Sequence, residues 1–339
     1  MKIIKHEHRI NEFSPEILTF FNDKSMIFDI ETTGFSAKTS NLYMIGCCYR
    51  EGDFFHIIQY LSSDKSDEES LITAFCNLCK QFSSCITFNG LGFDIPYLIQ
   101  KAEKYKLENT FEEKTQLDLL KEIKNYKNIL KLENLKQKTV ENFLNIHRQD
   151  TFSGGELISH YLEYEKTKDS VLEKQLLLHN YEDVLGLMAL LPMLSYTYAL
   201  NGSFSFVDGS ISSGKNYYGQ LEDTLTLRAN LHQGVLKPVS YGKGYFYLSL
   251  KENNLFISTP IQDGKIHVPY LNPSDYVYLI QEDIAIPKAM ASTIPKNEKK
   301  KATVENCYGK FIVNESNIHS RDLFEPYMNT VIQHLLQYK

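Results

Sequence analysis

From residue 26 to residue 61 the apolar positions recur with a period of two, interrupted by turn residues, which is the pattern of strands. "MIFDIE", residues 26–31, reads as a strand closed by the turn Thr32-Thr33-Gly34. "LYMIGCCYR" and "FFHIIQYL" read as two more strands, joined through Glu51-Gly52-Asp53 as a hairpin. The period then lengthens. Ser66-x-x-Glu69 reads as a capping box ahead of an amphipathic helix over "SLITAFCNLCKQF". "CITFNG" is a buried strand, a helix begins near Asp94, "TQLDLL" is a short strand, and a long helix runs from Val171 to Ala199. A meander of three strands, then alternating strands and helices, then helices, predicts an α/β domain with a mixed sheet flanked by helices.

The pattern changes at "NGSFSFVDGSISSGK", where Gly and Ser cluster. This stretch, 201–215, reads as a linker between a domain over 1–200 and a second one over 216–339. In the second, "LTLRANL", "YFYLSLK", "LFISTPI", "KIHVPYL" and "DYVYLI" read as strands, with turns at Asn253-Asn254 and Asp263-Gly264. A last helix covers "RDLFEPYMNTVIQHLLQ", so the accessory domain is β-rich (α+β).

Composition adds bounds. An apolar content of 42% supports a real core, and the chain shows no solenoid-like repeat. A net charge of −6 argues against a non-specific nucleic-acid coat. The first residues lack the apolar core of a signal peptide, and "VLGLMALLPML" is too short a run to span a bilayer. Six scattered cysteines form no disulfide framework, so the expected compartment is the cytoplasm. Cys76-x-x-Cys79 falls inside a helix and reads as core. "GSISSGKN" misses a P-loop because Asn216 stands where Ser or Thr is needed. Ten lysines against seven acids over 101–138, and "KNEKKK" at 296–301, read as solvated surface or as guides for a phosphate backbone. "YGKGYFYL" reads as a strand start.

The chemistry lies in the acids. Strand alternation puts Asp29 and Glu31 on one face, with Met26, Phe28 and Ile30 on the other. Two carboxylates so close repel unless a cation sits between them, although two solvated acids at a strand end fit the same pattern. Asp94, two residues before Pro96, opens a helix, where an acid also serves as a plain cap. His179 and Asp183 are four apart and share a helix face, as many surface pairs do.

Taken together, Asp29-Ile30-Glu31-Thr32-Thr33-Gly34, Asn89 to Asp94, and His179 to Asp183 resemble the three motifs of the DEDD superfamily of RNase H-fold 3′–5′ exonucleases. With "LDLL", "KLENLKQKTVENFL" and "FSGGELISHYLEY", the chain over 24–195 looks most like the YprB-like bacterial exonucleases. That superfamily divides on its third motif, with Tyr four residues before the last Asp or His five before it. Here His179 stands four back and Leu178 five back.

The resemblance implies two-metal-ion phosphodiester hydrolysis with Mg²⁺ or Mn²⁺. Asp29 would bridge both ions, Glu31 and Asp183 would complete one site, and Asp94 would hold the other. His179 would orient or deprotonate the attacking water. Thr33, Gly34 and Asn89 would contact the terminal nucleotide, and Phe93 would stack a base or pack under its helix. The implied partner is single-stranded nucleic acid, DNA or RNA. A structure-selective endonuclease, or a non-catalytic binding protein with a retained metal site, would use the same acids.

Overall fold

The computed structural model describes residues 1–215 and 219–338. The chain forms two compact units. Met1–Lys124 with Leu132–Leu194 makes the first, and Asn125–Lys131 with Ser195–Lys339 the second.

The first unit is built on a six-stranded sheet: β1 (Lys2–Arg9), β2 (Ser25–Thr32), β3 (Leu42–Glu51), β4 (Phe54–Leu61), β5 (Ser84–Thr87) and β6 (Thr115–Asp118). Their spatial order is β1-β4-β3-β2-β5-β6. The β1–β4, β4–β3 and β3–β2 pairs are antiparallel, whereas β5 joins β2 and β6 joins β5 in parallel. The mixed sheet expected from the pattern is therefore present. The strand β1 was not expected, because charges interrupt "KIIKHEHR"; it occupies a sheet edge, where such charges are tolerated.

The helices of this unit are α1 (Ile17–Phe20), α2 (Glu68–Cys79), α3 (Asp94–Lys104), α4 (Leu119–Ile123), α5 (Gln137–Phe143), α6 (Gly154–Thr167) and α7 (Ser170–Ala189). Met26, Phe28 and Ile30 of β2 pack with Leu71, Ile72 and Phe75 of α2 and with Ile95 and Leu98 of α3. Each such side chain, fully buried, contributes about 1.5–3 kcal/mol. Tyr43, Met44 and Leu61 form a second cluster with Leu157 and Tyr161 of α6 and Leu176 of α7. Both faces of the sheet are covered, and Asp29 and Glu31 lie on the opposite face of β2 from Phe28. Where the sequence suggested a capping box at Ser66, Asp64 is the residue whose side chain accepts the Ser66 N–H at 2.8 Å. The run Ser170–Leu200 is, by length and composition, apolar enough to cross a membrane, contrary to the shorter run read from sequence, but 78% of its apolar window is buried within the protein.

In the second unit, α8 (Leu194–Leu200) leads into β7 (Phe204–Lys215), β8 (Leu221–Lys243) and β9 (Phe246–Ile261), an antiparallel sheet in the order β7-β8-β9. The stretch read as a linker is thus a strand: Phe204 pairs with Leu231 and Lys215 with Leu221. Its Gly and Ser residues suit an exposed strand whose hydrogen bonds, rather than its side chains, hold it. Asn216 and the next two residues lie outside the described residues. Asn253-Asn254 is likewise inside β9 rather than a turn, with an irregularity carried by the positive φ of 52° at Glu252. Asp263-Gly264 does turn, with φ of 50° and 72°, as a two-residue hairpin of type I′ demands. The unit continues with β10 (Lys265–Pro269), β11 (Tyr276–Leu279), β12 (Ile284–Pro287), β13 (Lys299–Lys301), β14 (Tyr308–Ile312) and α9 (Arg321–Leu336). Lysines 299–301 of "KNEKKK" lie in a strand paired with β11, with Lys300 and Lys301 exposed.

One close approach fixes α7 on the sheet. Gly46 pairs with Asp29 across β2 and β3, and a Cβ there would lie 2.2 Å from Asn180 Oδ1 and 2.7 Å from Val184 Cγ2. Gly46→Ala is expected to overpack this contact and lower stability by about 1–3 kcal/mol, read as a lower urea midpoint with an unchanged slope. A midpoint equal to that of the parent would show that α7 does not need this approach.

Candidate active site

Three elements deliver the site. The strand β2 carries Asp29 and Glu31, the first residue of α3 is Asp94, and α7 carries His179, Asn180 and Asp183. His179 Nε2 lies 3.0 Å from Asp183 Oδ2 and 3.5 Å from Glu31 Oε1. Ligand atoms of Glu31, His179 and Asp183 all lie within 4.8 Å of one another. The Asn180 amide donates to Asp29 Oδ2 at 3.4 Å, and its Oδ1 accepts from Gln59 at 3.1 Å. Asp94 does not act as a side-chain cap for its helix, whose N-cap position is Phe93; its Oδ1 accepts the Ile30 N–H of β2 at 3.2 Å. The four acids and the histidine singled out in the sequence are thus brought together. Leu178, five before Asp183, is exposed, so the residue facing the acids is the one four back.

The electrostatics follow from crowding four carboxylates in a desolvated place. Burial, and after it the charges of Asp183, Asp94 and Glu31, push Asp29 well above the ordinary carboxylate range. Burial raises Glu31 to about 8, against the opposing pull of His179. Burial also raises Asp94 to about 7, although backbone N–H donors including that of Ile30 oppose it. Asp183 goes the other way: burial would lift it, but contacts with His179 and Arg148 hold it below its ordinary value. For His179, burial is outweighed by the hydrogen bond to Asp183 and the charges of Asp183 and Glu31, which bring it to about 9.

Several partners here carry no sequence motif. Arg148 donates to Asp183 Oδ1 at 2.5 Å, and Asp150 Oδ2 lies 2.6 Å from His179 Nδ1. Both sit in the irregular stretch between α5 and α6. The hydroxyl of Tyr43 donates to Glu31 Oε2 at 3.5 Å. Only the spacing of "HRQD", two charged groups two apart, hints at a shared target.

The expected substrate contacts flank these acids in sequence. The Thr33 N–H donates to the Asn41 carbonyl at 2.9 Å, and the Asn41 N–H donates to Thr33 Oγ1 at 2.9 Å. Ser40 Oγ lies 2.8 Å from the Gly34 carbonyl. That turn is anchored from below by Lys101, which donates to the Ser40 carbonyl at 2.6 Å and pairs with Glu68 at 2.6 Å, both almost fully buried. Asn89 is exposed with φ of 65°, and its N–H donates to Asp118 at 2.9 Å. Phe93 packs edge-on against Phe35, ring centres 6.1 Å apart, and Phe35 is 94% exposed.

The possible ligands are oxygen-rich, four carboxylates and one imidazole, with the Arg148 guanidinium a fixed cation beside them. Hard divalent cations such as Mg²⁺ and Mn²⁺ prefer such oxygens. The residues present therefore fit a divalent metal.

The model of the RNase H superfamily matches residues 26–195. No curated protein sequence matches the chain. Among solved structures, the family B DNA polymerase of Pyrobaculum calidifontis is similar at 15% identity and a TM-score of 0.39, covering 52% of this chain and 25% of that one. The chain thus spans about a quarter of the polymerase. Exonuclease I of E. coli, in complex with a dT13 oligonucleotide, is similar at 9% identity and a TM-score of 0.34, covering 93% and 74%. Exonuclease I of Methylocaldum szegediense gives 11%, 0.32, 93% and 70%.

The shifts set the pH dependence of stability. Glu31 and Asp94 are raised, so the stability they contribute is full below their ordinary values of 4.5 and 3.8 and is lost as pH climbs through about 8 and about 7. His179, also raised, loses its contribution as pH passes about 9. All three slopes have one sign. In EDTA the Tm is expected to fall as pH rises from 4.5 towards 8, and Mn²⁺ is expected to raise Tm most at the alkaline end, where its ligands are deprotonated. Thermal melts across that range check both.

Proposed function

Because the chain belongs to the RNase H superfamily, we propose that it is a divalent-metal-dependent 3′–5′ exonuclease acting on single-stranded nucleic acid. Within the superfamily this reading places it with the DEDD exonucleases, nearest the YprB-like group. The observation that carries the proposal is the convergence of Asp29, Glu31, Asp94 and Asp183 from three separate elements, three of them held far above the ordinary carboxylate range.

Asp29, Glu31, Asp94 and Asp183 would hold Mg²⁺ or Mn²⁺, two ions in this reading, which when bound stabilise the attacking and leaving oxygens of an in-line displacement. His179 Nε2, on the same face as Glu31 and Asp183, orients the attacking water and accepts its proton. The contacts that raise His179 are those with Asp183, Glu31 and Asp150; cations held by Asp183 and Glu31 would weaken the first two and so would favour the neutral imidazole. Asn180 fixes the Asp29 carboxylate. The turn Thr33-Gly34, braced by Ser40, offers backbone groups to the terminal nucleotide, and Phe93 with the exposed Phe35 offers an aromatic surface to its base. Asn89, exposed four residues before Phe93, is a further contact in this reading.

The test uses DNA and RNA oligonucleotides, single- and double-stranded, labelled at either end. With Mg²⁺ or Mn²⁺ the expected product is mononucleotides released from the 3′ end. Asp29→Asn is expected to lower the rate by more than about 100-fold, beyond what loss of a supporting hydrogen bond costs. Internal fragments would assign an endonuclease instead. An inert wild type that still binds oligonucleotide would assign a binding protein.

A further inference from the structure

The short stretch Arg148-Gln149-Asp150 grips α7 in three places. Arg148 Nη1 donates to Asp183 Oδ1 at 2.5 Å. Asp150 Oδ2 lies 2.6 Å from His179 Nδ1. Between them, the Glu182 carboxylate accepts the backbone N–H groups of Gln149 at 2.9 Å and Asp150 at 2.8 Å. Three α7 residues, 179, 182 and 183, therefore each meet a partner in a span of three.

The far side of the loop is equally fixed. Arg148 forks onto Glu141 of α5, with Nε to Oε2 and Nη2 to Oε1 both at 2.5 Å. Glu141 is 1% exposed and also accepts from Gln137 at 2.9 Å. It packs against Gly186 of α7 so closely that a Cβ there would sit 2.0 Å from Oε1. Asp150 accepts from Lys138 at 3.0 Å and from the Phe152 N–H at 3.0 Å. Neither loop side chain has the freedom of an ordinary surface group.

We propose that Arg148 and Asp150 are positioning residues: Asp150 holds the Nδ1–H of His179, so that Nε2 points at Glu31 and Asp183, and Arg148 holds Oδ1 of Asp183, so that Oδ2 faces the acid cluster. The inference rests on the nuclease reading for its consequence but not for its geometry. An imidazole can flip and exchange protons between its nitrogens, and a carboxylate can rotate. A partner on the rear atom of each removes that freedom, as carboxylates behind metal-site histidines do. The rigid fork of Arg148 suits this better than a lysine would, because the same group spans Glu141 and Asp183.

Two measurements test it. In protein labelled with ¹⁵N-histidine, His179 is expected to show a downfield, slowly exchanging Nδ1–H resonance that disappears in Asp150→Asn. In kinetics on a 3′-labelled oligonucleotide, Asp150→Asn and Arg148→Gln are each expected to lower kcat by about 10–100-fold with KM unchanged, because the substrate-facing groups are displaced rather than removed. Absence of the resonance in wild type, or its persistence in Asp150→Asn, overturns the proposal; so does a wild-type kcat in both folded variants. Should those variants not fold, Glu182→Gln loosens the loop from a half-exposed helix position, and an unchanged kcat and resonance there also overturns it. An inert wild type overturns the nuclease reading alone, since the resonance is observed without turnover.

Discussion

Mutual repulsion among four desolvated carboxylates is the constraint around which the first unit is arranged. Asp29, Glu31, Asp94 and Asp183 come from elements far apart in sequence, and bringing them together costs free energy that the surrounding fold must offset. The compensation is distributed. Asp94 takes a backbone N–H from β2, Asp29 takes the Asn180 amide, and Asp183 takes both a guanidinium and an imidazole. The two apolar clusters supply the stability that tolerates this: Phe28, on the reverse of the strand that carries Asp29, is wholly buried between sheet and helices. Alternation along one strand thus serves both needs, with core on one face and charge on the other.

Much of this was legible in the sequence because it is local. The strand over 26–31, the helix opening at Asp94, and the four-residue spacing of His179 and Asp183 are short-range patterns, and the structure places all of them as read. Arg148, Asp150 and Glu141 were not legible. They lie near one another in sequence, but their targets on α7 are 29 to 45 residues away, and the irregular segment of Arg148 and Asp150 has no periodicity to declare which way a side chain points. Gly46 was hidden for a similar reason. Its importance comes from Asn180, 134 positions later, and a glycine inside a strand says only that something comes close.

The second unit shows the opposite failure. Strands were expected there and found, but their extents were not: β8 runs 23 residues, and β7 occupies a stretch whose Gly and Ser content suggested a linker. A two-residue period needs apolar residues on one face to be visible, and most of β7 beyond Gly209 is exposed on both. Backbone pairing with β8 defines that strand, and pairing leaves little trace in composition. The lysines at 299–301 pair through their backbone with β11 while Lys300 and Lys301 stay exposed, so the charge run predicted the solvated surface but not the strand.

The segment Asn125–Lys131 belongs to the second unit although the chain returns to the first immediately after it. Tyr126, Ile129 and Leu130 are buried there, and Tyr126 and Asn128 bond to Asn201 and the Tyr338 carbonyl. During synthesis on the ribosome this apolar segment emerges some seventy residues before its unit begins in earnest, and two hundred before the Tyr338 carbonyl exists. All six strands of the first unit precede this segment, so its sheet is complete in sequence before the segment emerges, and α5, α6 and α7 are added while Tyr126, Ile129 and Leu130 still lack their partners, an interval in which exposed apolar surface favours misassembly.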